Sequence, residues 1–174
     1  MIIIVVAIVL VINNVVLINA KIPSESMENT IMTGDRIFGY RLAYGLNMDV
    51  FGHEISKKWK DPERFDIVIF KYPDDESRLF IKRVIGLPGE TIQIKDGQIL
   101  IDGETYQENG EFPGIENAGV AETKVALDSG EYFVLGDNRN DSMDSRMAEV
   151  GPIVGERIIG RAWLRIYPFD QIGF

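Results

Sequence analysis

The segment KIPSESMENT, residues 21–30, places two hydroxyls, Ser24 and Ser26, directly after twenty residues that carry no charge. Two readings are open for them. They can be loop residues that hydrogen-bond their own backbone where a helix ends. One can instead be a nucleophile, provided that a neighbouring base takes its proton. Composition narrows the choice of base. The chain has no Cys, hence no thiolate nucleophile and no thiolate metal site, and one histidine, His53. His53 stands in an irregular stretch beside Gly52, Glu54 and SKKWK and reads as an ordinary loop residue. A lysine can replace histidine if its surroundings remove its charge. Lys82, in LFIKRVIG, is the candidate: Phe80 and Val84 share its face at period two, and Leu79, Ile81 and Ile85 make the other face apolar. Burial lowers an amine's pKa, and a shift of about 3 units costs roughly 4 kcal/mol, which an isolated strand seldom carries without a use. A lysine that snorkels to solvent from a strand edge fits the same pattern equally well. Arg83 cannot act as the base because a guanidinium does not deprotonate.

A third segment, GDNRNDSMDSR (residues 136–146), gathers Asp137, Asn138, Arg139, Asp141, Ser142, Asp144, Ser145 and Arg146 into one loop after an apolar strand. Its acidic spacing is not that of a calcium loop, and Arg139 and Arg146 argue against a bound cation. Taken alone, it reads as a loop held by its own salt bridges and side-chain to backbone bonds.

The elements that must position these groups are mostly strands. DRIFGY (35–40), FDIVIFKY (65–72), RLFIKRVIG (78–86) and EYFVLGD (131–137) have β-rich patterns closed by turn residues. In ETIQIKDGQILIDGETY (90–106), Asp96-Gly97 and Asp102-Gly103 fit tight turns between short strands. Residues 41–62 read as irregular, 107–124 as a polar surface excursion, and 156–168 as a strand pair or one long bent strand. No stretch after residue 20 has helical periodicity, which points to an antiparallel β-barrel or sheet domain over 21–174 with a smaller β insertion at about 88–130. Residues 1–20, MIIIVVAIVLVINNVVLINA, have the length of a transmembrane anchor: twenty helical residues span about 30 Å. A cleaved signal peptide fits less well, because no Lys or Arg precedes Lys21 and the cut after INA would need a small residue where Ile18 stands. With 18 basic and 27 acidic residues the net charge is −9, which disfavours a nucleic-acid partner.

IPSESMENT, DIVIFKYP followed by FIKRVIGLPGE, and GDNRNDSMDSR, in this order behind an apolar segment, resemble the motifs of bacterial type I signal peptidases. These are membrane-anchored Ser-Lys proteases that remove signal peptides from exported proteins. The resemblance implies Ser26 as nucleophile and Lys82 as general base. It implies an oxyanion hole made by the Ser24 hydroxyl and the Ser26 N–H. Ser142 would orient the lysine, Asp144 and Arg146 would form a supporting ion pair, and Asp137, Asn138 and Arg139 would open that loop. Ile22, Ile31 and Ile81 would line shallow pockets for the small residues of Ala-x-Ala cut sites in preproteins. Neither metal nor organic cofactor is expected. The resemblance also implies a single-pass protein of the cell membrane with its catalytic domain on the extracytoplasmic side. Lys21, Arg36 and Arg41, all C-terminal to the apolar run, would by themselves place that domain inside; a short cytoplasmic segment ahead of the run would reverse the count. The aromatic stretch with Phe38 and Phe51 reads equally as a surface that rests on lipid headgroups and as ordinary core. A specialised Ser-Lys maturase of one exported protein is the alternative function. Two departures stand out: Asn29 occupies a position where the family usually has Pro, and MAEVGPI follows DSR where an aromatic-Trp-Gly stretch is common. Asn tolerates turn geometry, so the Ser26 loop is expected to survive.

Overall fold

Short strands, most of them ended by Gly, Pro or acidic turns, pair antiparallel along most of the chain. The computed structural model describes residues 1–5, 12–50 and 53–173. The strands are β1 (Leu17–Lys21), β2 (Arg36–Tyr40), β3 (Gly45–Val50), β4 (His53–Lys58), β5 (Ile67–Lys71), β6 (Leu79–Gly86), β7 (Thr91–Lys95), β8 (Gln98–Ile101), β9 (Glu104–Thr105), β10 (Val125–Ala126), β11 (Glu131–Leu135), β12 (Ile153–Val154) and β13 (Ile158–Tyr167). A seven-stranded sheet runs in the order β1-β2-β13-β5-β6-β11-β12, a four-stranded sheet in the order β10-β7-β8-β9, and β3-β4 form a hairpin.

β13 reaches both β2 and β5 because it is long and its register shifts three times, between Ile158 and Gly160, between Ala162 and Leu164, and between Arg165 and Tyr167. Each irregularity bends a strand and raises its twist. This one bent strand therefore joins the N-terminal strands to the strand pair that carries Lys82. In the small sheet, Asp96-Gly97 and Asp102-Gly103 turn with φ of 52° and 76°, then 53° and 88°. The left-handed region at both central positions is what a tight hairpin turn of this sequence type requires.

Three apolar clusters hold the layers. Val68, Phe70, Val84, Tyr132, Val134 and Ile153 pack on one side of the large sheet. Ile85, Phe133 and Leu135 pack against Ile92, Ile94 and Ile99, so the small sheet shares a core with the large one. Ile18, Ile22, Met27, Ile31, Ile37 and Ile69 form the third, under the Ser26 segment.

Two expectations from the sequence are corrected here. The apolar run does not continue as helix to residue 20: Leu17–Lys21 is β1, paired with β2 from Leu17↔Tyr40 to Lys21↔Arg36. Its side chains alternate, with Ile18 buried in the third cluster and Asn19 exposed, so pairing with β2 buries Ile18 and satisfies the backbone together. Ahead of it, Ile12–Val16 forms one π-helical turn. Among the described residues no helix is long and apolar enough to cross a membrane. The second correction concerns 41–62, expected to be irregular. Backbone pairing from Gly45↔Lys58 to Val50↔His53 makes it a hairpin. HEISKK lacks the apolar alternation that marks a strand with one buried face, which hid it in the sequence. Phe51 lies outside the described residues, and Phe38 is half-buried in β2.

Candidate active site

β6 carries Lys82 opposite Val68 of β5. Buried neighbours on both strands leave the lysine 3% exposed. Its Nζ lies 2.7 Å from Ser26 Oγ and donates to the Ile81 carbonyl at 3.0 Å. It also lies 5.4 Å from the centre of the Phe80 ring. Burial lowers the Lys82 pKa to about 8, against the opposing pull of Asp144 and Asp137. Burial wins because an ammonium in an apolar strand pair loses its water, while the two carboxylates are engaged with arginines. A neutral amine this close to a hydroxyl can take its proton.

Ser26 is held from two sides. Upstream, the chain leaving β1 is fixed by the Ile22 N–H, which donates to the Asp35 carbonyl at 2.9 Å. Downstream, Met27 is 2% exposed and anchors a tight turn in which the Thr30 and Ile31 N–H groups donate to its carbonyl. Asn29 takes φ = 81° in that turn. This is the left-handed region that Asn tolerates and that Pro, fixed near about −65°, cannot enter. The departure at Asn29 therefore suits this turn. Ser24 is exposed, with its Oγ 3.5 Å from Ser26 Oγ.

The loop 136–146 closes the site. The Asn138 N–H donates to the Ser26 carbonyl at 3.2 Å and its side-chain amide to the Glu25 carbonyl at 3.3 Å. Asp144, fully buried, accepts the Gly136 N–H at 3.0 Å and two bonds of 2.8 Å from Arg146. Asp137, also buried, accepts two bonds from Arg83 at 2.7 and 2.6 Å. Ser145 ties the loop to β11 by accepting the Val134 N–H at 2.9 Å.

The structure thus brings together Ser26, Lys82, Ser24, Asp144 and Arg146, and gathers Ile22, Ile31 and Ile81 in one apolar cluster beside them. It does not bring Ser142 into a hydrogen bond with the lysine. Ser142 Oγ is buried with no hydrogen-bond partner among the described residues, packed where a Cβ on Gly136 would stand, 2.2 Å away. Sequence reasoning treated Arg83 only as a failed base and Asn138 only as a loop opener. Their roles as clamp on Asp137 and on the Ser26 carbonyl required the fold; the sole sequence signal was their place beside Lys82 and Asp137. One more feature bears on chemistry. β11 pairs with β6 only from Arg83 to Gly86, so among the described residues Leu79–Lys82 is paired on the β5 side alone.

Residues 1–167 match the family model of signal peptidase, peptidase S26. The chain is 36% identical over 160 residues to a probable signal peptidase I-2 of Synechocystis sp., an alignment covering 87% of this chain and 64% of that protein. It is 38% identical over 161 residues to a signal peptidase I of Leptolyngbya laminosa, covering 87% and 70%. A crystal structure of a signal peptidase I from Enterococcus faecalis V583 is similar at 32% identity and a TM-score of 0.46, covering 59% of this chain and 97% of that one. The chain spans about two thirds of the length of the first two relatives.

Proposed function

Since the chain belongs to the peptidase S26 family of signal peptidases, which are serine endopeptidases, we propose that it removes signal peptides from exported preproteins with Ser26 as nucleophile and Lys82 as general base. The observation that carries this reading is the buried Lys82 amine 2.7 Å from the Ser26 hydroxyl. Ser26 Oγ attacks the scissile carbonyl carbon while its proton passes to Lys82 Nζ. The oxygen that becomes negative is held by the Ser24 hydroxyl and the Ser26 N–H. Lys82 then returns the proton to the leaving amine, and an acyl-enzyme remains on Ser26. A water molecule gives its proton to Lys82 and attacks the ester; the bond to Ser26 Oγ then breaks, Ser26 takes the proton back from Lys82, and the signal peptide leaves with its new carboxylate. The hydrogen bond from Lys82 to the Ile81 carbonyl keeps the amine aimed at Ser26 throughout. Asp144 and Arg146 fix the loop behind the dyad.

The one-sided edge at Leu79–Lys82 supports an extended substrate that pairs with β6. The Ile22, Ile31 and Ile81 cluster supports small side chains at the cut site, because larger ones would overlap it. The apolar residues ahead of β1 would anchor the chain in the cell membrane, with the β domain on the extracytoplasmic side. Ser26 then lies a few residues from the bilayer surface, where a membrane-held signal peptide presents its cut at high effective concentration.

The test is cleavage of a purified preprotein with an Ala-x-Ala site, in detergent, by the native chain, Ser26→Ala and Lys82→Arg. Cleavage at that site by the native chain alone, with both variants reduced at least about 10³-fold, is expected. Equal cleavage by all three would sink the dyad. A folded native chain that cuts one dedicated exported protein but no general preprotein would favour the specialised maturase.

A further inference from the structure

Residues 107–124 read in the sequence as a surface excursion, and the loop 136–146 as a turn stapled by its own side chains. The structure joins them through a buried ion pair. Arg139 is 1% exposed. Its two terminal nitrogens meet both carboxylate oxygens of Glu108 at 2.5 Å. Its guanidinium lies 4.4 Å from the centre of the Phe112 ring. Its third side-chain nitrogen, Nε, donates to the Gly136 carbonyl at 3.0 Å. Between Gly136 and Arg139 stands Asn138, whose N–H holds the Ser26 carbonyl.

We propose that Glu108 is a positioning residue for Ser26, acting through Arg139 on the 136–139 turn that holds the nucleophile's carbonyl. The proposal rests on the reading of Ser26 as nucleophile. Its physical basis is the chemistry of arginine. A lysine stripped of its partner can lose its proton and stay buried; a guanidinium cannot. Without the Glu108 carboxylate, Arg139 must move toward water, because a buried unpaired charge is strongly disfavoured. Nε then leaves the Gly136 carbonyl, and the turn beside it loosens. Gly136 has no slack to give: a Cβ there would stand 2.4 Å from the Ser26 carbonyl oxygen. Small movements of the turn therefore reach Ser26 directly. The pocket residues Ile22, Ile31 and Ile81 lie on other segments, so substrate binding should be spared.

A merely structural salt bridge makes a different prediction, and the molecule contains a comparison for it. Arg64 pairs with both oxygens of Glu90, at 3.0 and 2.5 Å, and both side chains are about one-fifth exposed. That pair holds the end of β6 to the start of the small sheet, through the Ile85 carbonyl and the Leu87 N–H, and among the described residues it bonds to neither the 136–146 loop nor Ser26. The experiment compares the native full chain with Glu108→Gln, Glu108→Asp and Glu90→Gln. It measures kcat and KM on a preprotein, Tm, and amide hydrogen exchange across 136–140.

The expected result for Glu108→Gln is a kcat lower by about 10- to 100-fold with KM within about twofold, the scale of a nucleophile shifted by a fraction of an ångström. Glu108→Asp, which keeps the charge, should recover part of that kcat. Exchange at Asn138 should quicken in Glu108→Gln. Glu90→Gln should lower Tm while kcat stays within about twofold of native. If Glu108→Gln retains native kcat, or if Glu90→Gln loses as much kcat as it does, the positioning role is overturned. Should Glu108→Gln not fold, Glu108→Asp decides by the same kcat and exchange criteria. If the native chain cleaves no preprotein, the proposed function fails on its own. Exchange at Asn138 then still decides the coupling: faster exchange in the variant supports it, and unchanged exchange overturns it.

Discussion

At the scale of single residues, Lys82 and Asn29 carry the sharpest consequences. A lysine with a pKa of about 8 is mostly protonated at pH 7 and competent as a base only when neutral. The ratio kcat/KM should therefore rise about tenfold per pH unit below pH 8 and level off above it; a flat profile between about pH 6 and about pH 10 would exclude Lys82 as the base. The sign for stability follows from the same shift. The unfolded chain holds the Lys82 proton up to about 10.5 and the folded chain only to about 8. Between those values the unfolded state binds more protons, so stability rises with pH there. Below about pH 8 the full penalty applies, about 3 kcal/mol. Lys82→Met, inactive by the proposed mechanism, should thus unfold at a higher temperature than the native chain at pH 7, with the gap closing toward pH 10.5. Asn29 makes a separate prediction. At φ = 81° the position accepts Gly and rejects Pro. Asn29→Gly should change stability by less than about 0.5 kcal/mol, whereas Asn29→Pro should cost at least about 1 kcal/mol in urea denaturation and lower activity with it.

At the scale of elements, the site is the meeting of one strand, one turn and one loop, and Gly136 is where the last two touch. Its N–H is taken by Asp144 and its carbonyl by Arg139, so the backbone there is held from both ends. A methyl group would meet the Ser26 carbonyl oxygen at 2.4 Å and Ser142 Oγ at 2.2 Å. Rotating the hydroxyl leaves the Ser142 Cβ at 2.6 Å, and the carbonyl belongs to the backbone of the proposed nucleophile and can yield only by moving Ser26. Gly136→Ala is expected to cost about 1–3 kcal/mol in stability and about 10²-fold in kcat, with little change in KM. Steady-state kinetics beside a thermal melt would separate the two effects; a variant with native kcat would mean that the loop adapts without passing the strain to Ser26. The same logic explains why Arg83 adjoins Lys82 on β6. Side chains at adjacent strand positions point to opposite faces, so Lys82 reaches Ser26 while Arg83 grips Asp137 and steadies the loop from below.

At the scale of the whole molecule, the chain couples an apolar N-terminal segment to a β domain in which Ser26, the proposed nucleophile, lies five residues beyond the end of β1 at Lys21. If that segment anchors the protein, a charge in its middle should weaken membrane partitioning without touching the dyad. Val9→Arg places a guanidinium in the apolar run at an insertion cost of about 2.5–3.5 kcal/mol. The full-length variant should sediment less with liposomes yet cleave a short soluble peptide at the native rate. Equal sedimentation by native and variant chains would remove the anchor from the proposal. With a net charge of −9, attraction to anionic headgroups would add little, so any membrane binding would have to come from the apolar segment.

Much of this was legible in the sequence because it depends on local chemistry. The Asp-Gly turns, the apolar strands on either side of Lys82 and the polar loop after β11 follow from turn preferences and period-two burial, and these act over a few residues. One histidine in a poor setting and no cysteine made Lys82 a candidate base, and the order of the three motifs made it the implied one. Other features were undetermined until distant segments met. Whether Lys82 is buried or snorkels depends on Val68 across the ladder and on the Ser26 turn, 56 residues away. The end of the apolar run is strand because β2 offers it a pairing partner, which no property of residues 17–21 reveals. Glu108 gave no signal at all, for a carboxylate in a polar excursion looks like solvated surface until the fold sets a buried arginine against it. Local pattern determined which residues could do chemistry; long-range packing decided which of them lose their water and meet, because the burial that lowers the Lys82 pKa and the 2.7 Å approach of its amine to the Ser26 hydroxyl both need partners from distant segments.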